Sequence, residues 1–185
     1  MRLFVALEVP ASLRESLAAL ISQLRNIAPK AKWVRPENLH VTLKFLGETA
    51  PVKLEAVGEA LAKVRSAPIE VQFRGLGFFP SERRARVLWA GVEASANLAS
   101  LAGAVDDIVA ALGFHQETRA FTPHLTLARF DPPGVPPALS KAYAANAIRD
   151  FGILHTGKFH LIESKLKPSG AQYTTLRSFV FAPEP

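Results

Sequence analysis

A chain of 185 residues, 49% hydrophobic and 21% charged, carries enough apolar side chain for one sizeable domain or two tightly packed lobes. It contains no cysteine, which excludes disulfides and thiolate metal sites, and no apolar run of the length that spans a bilayer as a helix. The formal net charge of +6, with a pI near 9.9, favours polyanionic partners such as nucleic acid or phosphorylated ligands without requiring them.

Residues 3–9, LFVALEV, predict a first strand. The opening apolar run has some likeness to a signal peptide, but Glu8 and Pro10 interrupt it, and a cytoplasmic protein is expected. Positions 12–27 switch to helical spacing, with Leu13, Leu17, Leu20, Ile21, Leu24 and Ile27 on one face. Ser12 and Glu15 have the spacing of a capping box at that helix start. A proline-containing break follows, with room for a short strand around Trp33. HVTLKFL then reads as a strand, and residues 51–65 as a helix opened by Pro51.

IEVQFRG alternates, with Ile69, Val71 and Phe73 on one face and Glu70, Gln72 and Arg74 on the other, as in a strand with one wet face. PSERRAR reads as a polar hairpin loop before the strand VLWAGVE. A third helix-patterned segment covers residues 95–112, with Gly113 as its stop. After it come PHLTLARF, the break DPPGVPP, a short helical stretch, and two closing strands, KFHLIESKL and YTTLRSFVF. No stretch is long or polar enough to be a linker between independent domains. The expected fold class is α+β: two pseudo-symmetric lobes of mostly antiparallel sheet with flanking helices around a central cleft, residues 1–185 forming one two-lobed domain.

One phrase occurs twice. His40-Val41-Thr42-Leu43 and His124-Leu125-Thr126-Leu127 are both H-x-T-L, and the chain has five histidines in all. Eight threonines and 23 leucines make such a duplication by chance an event of roughly 3 in 10,000. On a strand, the His and Thr of each tetrad share one face while Val41/Leu43 and Leu125/Leu127 share the other. Two lobes packed about a pseudo-two-fold would then oppose two imidazoles and two hydroxyls across a groove.

Imidazole gives or takes a proton near neutral pH, so two of them can serve as general acid and general base. Threonine hydroxyls can donate to non-bridging phosphate oxygens as charge builds there. Three plainer readings compete: hydrogen-bonded His/Thr pairs at a sheet surface, a duplicated stabilising hairpin, and a metal site on the two histidines. Metal sites usually take three or four ligands, and no nearby H-x-x-E or D-x-H supplies the others. No metal and no cofactor is expected.

The chain resembles the 2H phosphoesterase superfamily and, within it, the RNA 2′,3′-cyclic phosphodiesterases historically called 2′-5′ RNA ligases. RLFVALEVP, WVRPENLHVTLKFLGE, RVLWAGV, FTPHLTLARF and LIESKLKPSGAQYTTLRSFVF carry the resemblance, and the paired tetrads are its most specific element. It implies metal-independent hydrolysis of an RNA 2′,3′-cyclic phosphate to a 2′-phosphate, with His40 protonating the departing 3′ oxygen and His124 activating water. Thr42 and Thr126 would bind the phosphate. The resemblance also implies reversible 2′-5′ joining, for instance of tRNA halves, and a monomer. The near symmetry of the tetrads leaves acid and base unassigned on physical grounds.

Lys44 lies four residues after His40, on the same face of a regular strand as His40 and Thr42, and is a candidate phosphate contact or a solvated lysine. Arg129 lies five after His124, on the opposite face unless the strand bulges or ends. Tyr173 is a candidate for stacking on a base or bonding a phosphate oxygen. Trp33 and Phe45 are candidate stacking platforms or core residues. Arg83, Arg84 and Arg86 are either an electrostatic footprint for an RNA backbone or a solvated loop. His115, His155 and His160 read as surface or packing residues. The competing functions are a 2H phosphodiesterase for 2′-5′ oligoadenylates or small cyclic nucleotides, and a non-catalytic RNA-binding module.

Overall fold

The computed structural model describes residues 1–168 and 170–181; Ser169, within the closing segment, and residues 182–185 lie outside the described residues. In chain order the elements are β1 (Arg2–Glu8), α1 (Ala11–Ile27), β2 (Lys32–Trp33), β3 (His40–Glu48), α2 (Leu54–Leu61), β4 (Ile69–Phe79), β5 (Val87–Ala94), α3 (Ala96–Ala110), β6 (His124–Arg129), α4 (Pro137–Asn146), β7 (Asp150–Thr156), β8 (Lys158–Lys167) and β9 (Gly170–Val180). The strands form one antiparallel sheet in the order β7-β4-β5-β6-β3-β1-β8-β9, with β2 alongside β6.

The order is symmetric about the β6–β3 seam. Outward from β6 run β5, β4 and β7; outward from β3 run β1, β8 and β9. The first half of the chain sends β4 to the β5–β6 lobe, and the second half sends β8 to the β1–β3 lobe. Each lobe therefore contains strands from both halves, and neither is a contiguous piece of sequence.

The helices share one core with one face of the sheet. Leu13, Leu17, Leu20 and Leu24 of α1, Val57 and Leu61 of α2, Leu98, Leu101, Val105 and Val109 of α3, and Leu139 of α4 all pack there. They meet Leu3, Val5 and Leu7 of β1, Val41 and Leu43 of β3, and Leu125 and Leu127 of β6. The opposite face of β1 and β8 carries a small separate cluster, Phe4, Ala6 and Ile162, under Tyr173. Burial of the apolar face thus fixes which residues face away from the helices.

Several local expectations change. Helix α1 starts at Ala11 with Pro10 as its N-cap and no side-chain capping bond, so Ser12 already sits inside the first turn and makes no capping box. The segment after Pro51 is a 3₁₀ turn, Pro51–Lys53, followed by a helix that ends at Leu61 rather than at residue 65. Strand β7 was not expected. Its buried residues Phe151 and Leu154 are three apart, a helical spacing, because Phe151 is skipped in the register with β4, where Phe73 faces Gly152 (φ 124°) and Arg74 faces Asp150. Gly113 does stop α3, at φ 82°, with its N–H on the Ala110 carbonyl and that of Phe114 on the Val109 carbonyl.

Candidate active site

β3 and β6 pair at one position only, Val41 opposite Leu125. Extending that antiparallel register by one residue sets His40 beside Thr126 and Thr42 beside His124. Val41 and Leu125 point into the helix-covered core, fully buried, so the two imidazoles and two hydroxyls occupy the other face, all partly exposed. Each histidine thus neighbours the threonine of the other lobe. Among the described residues neither threonine hydroxyl has a hydrogen-bond partner, which leaves both free to donate to a ligand.

Both tetrads contain the same irregularity. Against β1, Ala6 faces Thr42 and Val5 faces Lys44, so Leu43 is skipped. Against β5, Trp89 faces Thr126 and Leu88 faces Ala128, so Leu127 is skipped. A bulge reverses the facing of every residue beyond it. Lys44 therefore does not share the face of His40 and Thr42 as a regular strand would require. It turns into the protein, 8% exposed, where its ammonium pairs with Asp106 of α3 and donates to the His115 carbonyl at 2.6 Å.

The residues five beyond each histidine come to the cleft face instead. In the first lobe this is Phe45, 62% exposed and 6.1 Å ring to ring from Phe4. In the second it is Arg129, exposed and opposite Val87 on β5. The pseudo-symmetric pair is thus an aromatic ring and a cation.

Each histidine is held by a carbonyl two residues upstream: His40 Nδ1 lies 2.7 Å from the Asn38 oxygen and His124 Nδ1 lies 2.9 Å from the Thr122 oxygen. A carbonyl only accepts, so each Nδ1 carries the proton and each Nε2 is left for chemistry. The rings are wedged by aromatic neighbours. Phe4 lies 4.7 Å and Tyr173 5.2 Å from His40, while Phe79 lies 5.0 Å from His124 and is backed by Trp89 at 5.1 Å. Trp89 in turn lies over Gly77, where a Cβ would fall 2.1 Å from the indole.

Burial lowers the pKa of His40. The Asn38 carbonyl bond opposes this, and the charges of Arg129 and His124 add to the lowering. Burial raises the Tyr173 phenol, with Arg129 and Arg2 opposing. The Arg129 charge therefore acts across the seam on both first-lobe side chains.

A cavity of about 560 Å³ opens beside His124, lined by Thr42, Phe45, Phe79, Phe121 and Thr122 among others. A smaller one of about 230 Å³ lies beside His40, with Glu8, Arg14, Tyr173 and Thr175. Of the residues picked from sequence, the fold gathers His40, His124, Thr42, Thr126, Arg129, Tyr173 and Phe45 on one face. It turns Lys44 away. Trp33 lies half-buried on β2, its indole N–H donating to the Ala28 carbonyl at 2.8 Å. His115 and His155 are exposed; His160 is buried, with Nδ1 2.9 Å from the Ser178 hydroxyl. Among the described residues no three His, Asp or Glu side chains form a metal-binding group. Sequence reasoning missed Phe79 and the Gly77–Trp89 support, which no short-range pattern announces.

A family model described as LigT like Phosphoesterase matches residues 7–89 and, a second time, residues 91–173. The two matches are offset by 84 positions, the separation of His40 and His124. The chain is 36% identical over 179 residues to an RNA 2′,3′-cyclic phosphodiesterase of Archaeoglobus fulgidus, covering 97% of this chain and 99% of that one. It is 31% identical over 180 residues to a protein of the same name from Methanothermobacter thermautotrophicus, covering 96% and 97%. Among solved structures, TT0787 of Thermus thermophilus superposes with a TM-score of 0.81 at 32% identity over the whole of both chains.

Proposed function

The chain belongs to the LigT-like phosphoesterase family, and from that premise we propose that it hydrolyses the 2′,3′-cyclic phosphate at an RNA end to a 2′-phosphate, using two histidines and no metal. It is an enzyme of the cyclic phosphodiesterase kind. The observation that carries the reading is the duplicated half-site: two imidazoles with Nε2 free, each beside an unbonded threonine hydroxyl, around one seam.

Water attacks phosphorus as His124 Nε2 takes its proton, and the P–O3′ bond breaks as His40 Nε2 protonates the departing oxygen. Thr42 and Thr126 donate to the non-bridging oxygens, where negative charge accumulates. The direction, His40 as acid and His124 as base, rests on the family resemblance. Burial lowers the pKa of His40, and the bound phosphodiester's negative charge is what favours its protonated form. Arg129 is suited to the same charge, and Tyr173 to holding the His40 ring. Lys44 acts in this scheme only through the elements it ties together.

The same steps, in the same direction, give a 2′-5′ linkage when a ribose 5′-hydroxyl replaces water: its oxygen attacks phosphorus, His124 takes its proton, and the P–O3′ bond breaks. The reverse opens that linkage and re-forms the cyclic phosphate. The breadth and aromatic lining of the cavity beside His124 favour this as a second activity, since water alone needs no such space. The proposed working unit is the whole two-lobed domain, a cytoplasmic monomer with RNA as its partner.

The test is to incubate the protein, in excess EDTA, with an oligonucleotide ending in a 2′,3′-cyclic phosphate and to identify the new end. A 2′-monophosphate supports the proposal. An unchanged end with the RNA retained favours a binding module, and loss of turnover in EDTA revives a metal site.

A further inference from the structure

We propose that one corner of the second lobe is a docking track for the sugar–phosphate backbone of the RNA upstream of its reacting end. The inference rests on the RNA-end reading above and names where the rest of the substrate lies. β4 ends at Phe79, whose ring touches His124, and the turn to β5 carries Arg83, Arg84 and Arg86. The backbone holds this turn against the site: the Arg86 N–H donates to the Phe79 carbonyl at 2.8 Å, and the Phe130 N–H donates to the Arg86 carbonyl at 2.9 Å. Arg129 faces Val87 across the β5–β6 ladder, and Lys32 faces Arg129 across the β2–β6 ladder.

Five cations are thereby assembled by two strands and one turn that lie far apart in sequence. Glu82 lies in the same turn and Asp131 two residues beyond Arg129, and Glu117, which lines the cavity beside His124, is paired with Arg119 at 3.2 Å. Asp131 is taken by Lys32 at 3.3 Å, whereas Arg83, Arg84, Arg86 and Arg129 have no ion pair among the described residues. Guanidinium groups without an ion pair, on a turn that leaves Phe79, and a cavity lined by Phe45, Phe79 and Phe121 supply the two features a single-strand groove combines: charge for the backbone and faces for the bases. The hydrolysis itself needs none of the hairpin arginines. Their use is to favour a polynucleotide end over a cyclic mononucleotide.

The experiment compares kcat/KM for a 2′,3′-cyclic mononucleotide with that for an oligonucleotide of about eight nucleotides ending in the same cyclic nucleotide, a length within the span of small single-strand sites. It is run across a salt series for the wild type and for the Arg83→Gln/Arg84→Gln/Arg86→Gln variant. The wild type is expected to prefer the oligonucleotide at low salt, with a preference that falls as salt rises. In the variant the ratio of the two kcat/KM values should fall about tenfold or more at low salt. Its salt slope should shrink by about 2, at roughly 0.7 per lost single-strand phosphate contact. An unchanged ratio and slope, or equal losses on both substrates, overturns the proposal. Anisotropy of a labelled oligonucleotide already ending in 2′-phosphate reads the same surface without turnover. If the protein cleaves neither substrate yet binds this product with a salt slope that the variant loses, the track stands and the hydrolase reading falls. If the two proteins bind the product alike, the track falls.

Discussion

Val41 and Leu125 meet across the seam between the two lobes, the single residue pair joining β3 to β6. Both side chains are fully buried under the helices, and that burial turns the flanking histidines and threonines the other way. Further along, each strand bulges at its own tetrad leucine and takes up other partners: β3 lies along β1, and the end of β6 lies between β5 and β2. One apolar contact thus sets the spacing of the two imidazoles.

The assignment of acid and base has a direct chemical check. A substrate with sulfur in place of the bridging 3′ oxygen expels a leaving group that needs no proton. It should restore much of the rate to His40→Ala and none to His124→Ala. Rescue of His124→Ala alone reverses the roles. A pH consequence accompanies it: burial holds His40 below the ordinary imidazole value in the free enzyme, and bound phosphate raises it. The alkaline limb of kcat/KM, which reports the free enzyme, should lie at lower pH than that of kcat.

Gly77 supports His124 through two rings. A methyl there would sit 2.1 Å from the Trp89 indole, which packs on Phe79, which packs on His124. Gly77→Ala should cost about 1–3 kcal/mol of stability by overpacking and lower kcat as well. Gly103→Ala, in α3 with nothing within 4 Å of the added carbon, should instead stabilise the protein by about 0.4–1 kcal/mol. Urea unfolding of the two variants distinguishes them.

The Lys44–Asp106 pair joins β3 to α3, with side chains 8% and 14% exposed, and Asp106 also accepts the Glu117 N–H at 3.0 Å. Lys44→Met or Asp106→Leu alone strands a buried charge and should cost about 3–5 kcal/mol. The double substitution should cost less than either single one. A double-mutant cycle in urea measures this. Additive losses would mean that the pair is not coupled.

Acid should weaken the fold before the carboxylates titrate. Burial lowers the pKa of both His40 and His160, with Glu8 opposing the shift at His160 and Lys158 adding to it. A lowered folded-state value means that the neutral ring is the stabilised form. That stability is complete above the unfolded value of 6.5 and is lost as pH falls through the lower folded values. Unfolding free energy should therefore decline below pH 6.5, and His160→Gln should flatten the decline. An unaltered slope in that variant would exclude His160 as a contributor.

The four side chains at the seam were legible in the sequence because the signal was a duplication, and because alternation on a short strand fixes which residues share a face. The same alternation misplaced Lys44. A period of two assumes a regular ladder, and the bulge at Leu43 has no local mark such as a glycine. Its twin at Leu127 is what brings Arg129 to the cleft, the condition under which that arginine could reach substrate. Strand β7 was hidden for a similar reason, since skipping Phe151 gives a strand the burial spacing of a helix. Phe79 and Trp89 were beyond reach because their role depends on the register of β4 against β5 and on β5 lying beside β6. The exchange of β4 and β8 between lobes is likewise a property of topology, which residue patterns along one segment do not encode.

His40 and His124 are proposed to work as one acid–base device, and single-turnover rates on a 2′,3′-cyclic phosphate RNA end for His40→Ala, His124→Ala and the double variant decide it. Each single substitution should lower the rate by roughly 10²–10⁴-fold, and the double should be little worse than the slower single, as for residues that act as a unit. A near-wild-type rate in either single variant, or fully multiplicative losses in the double, would contradict it.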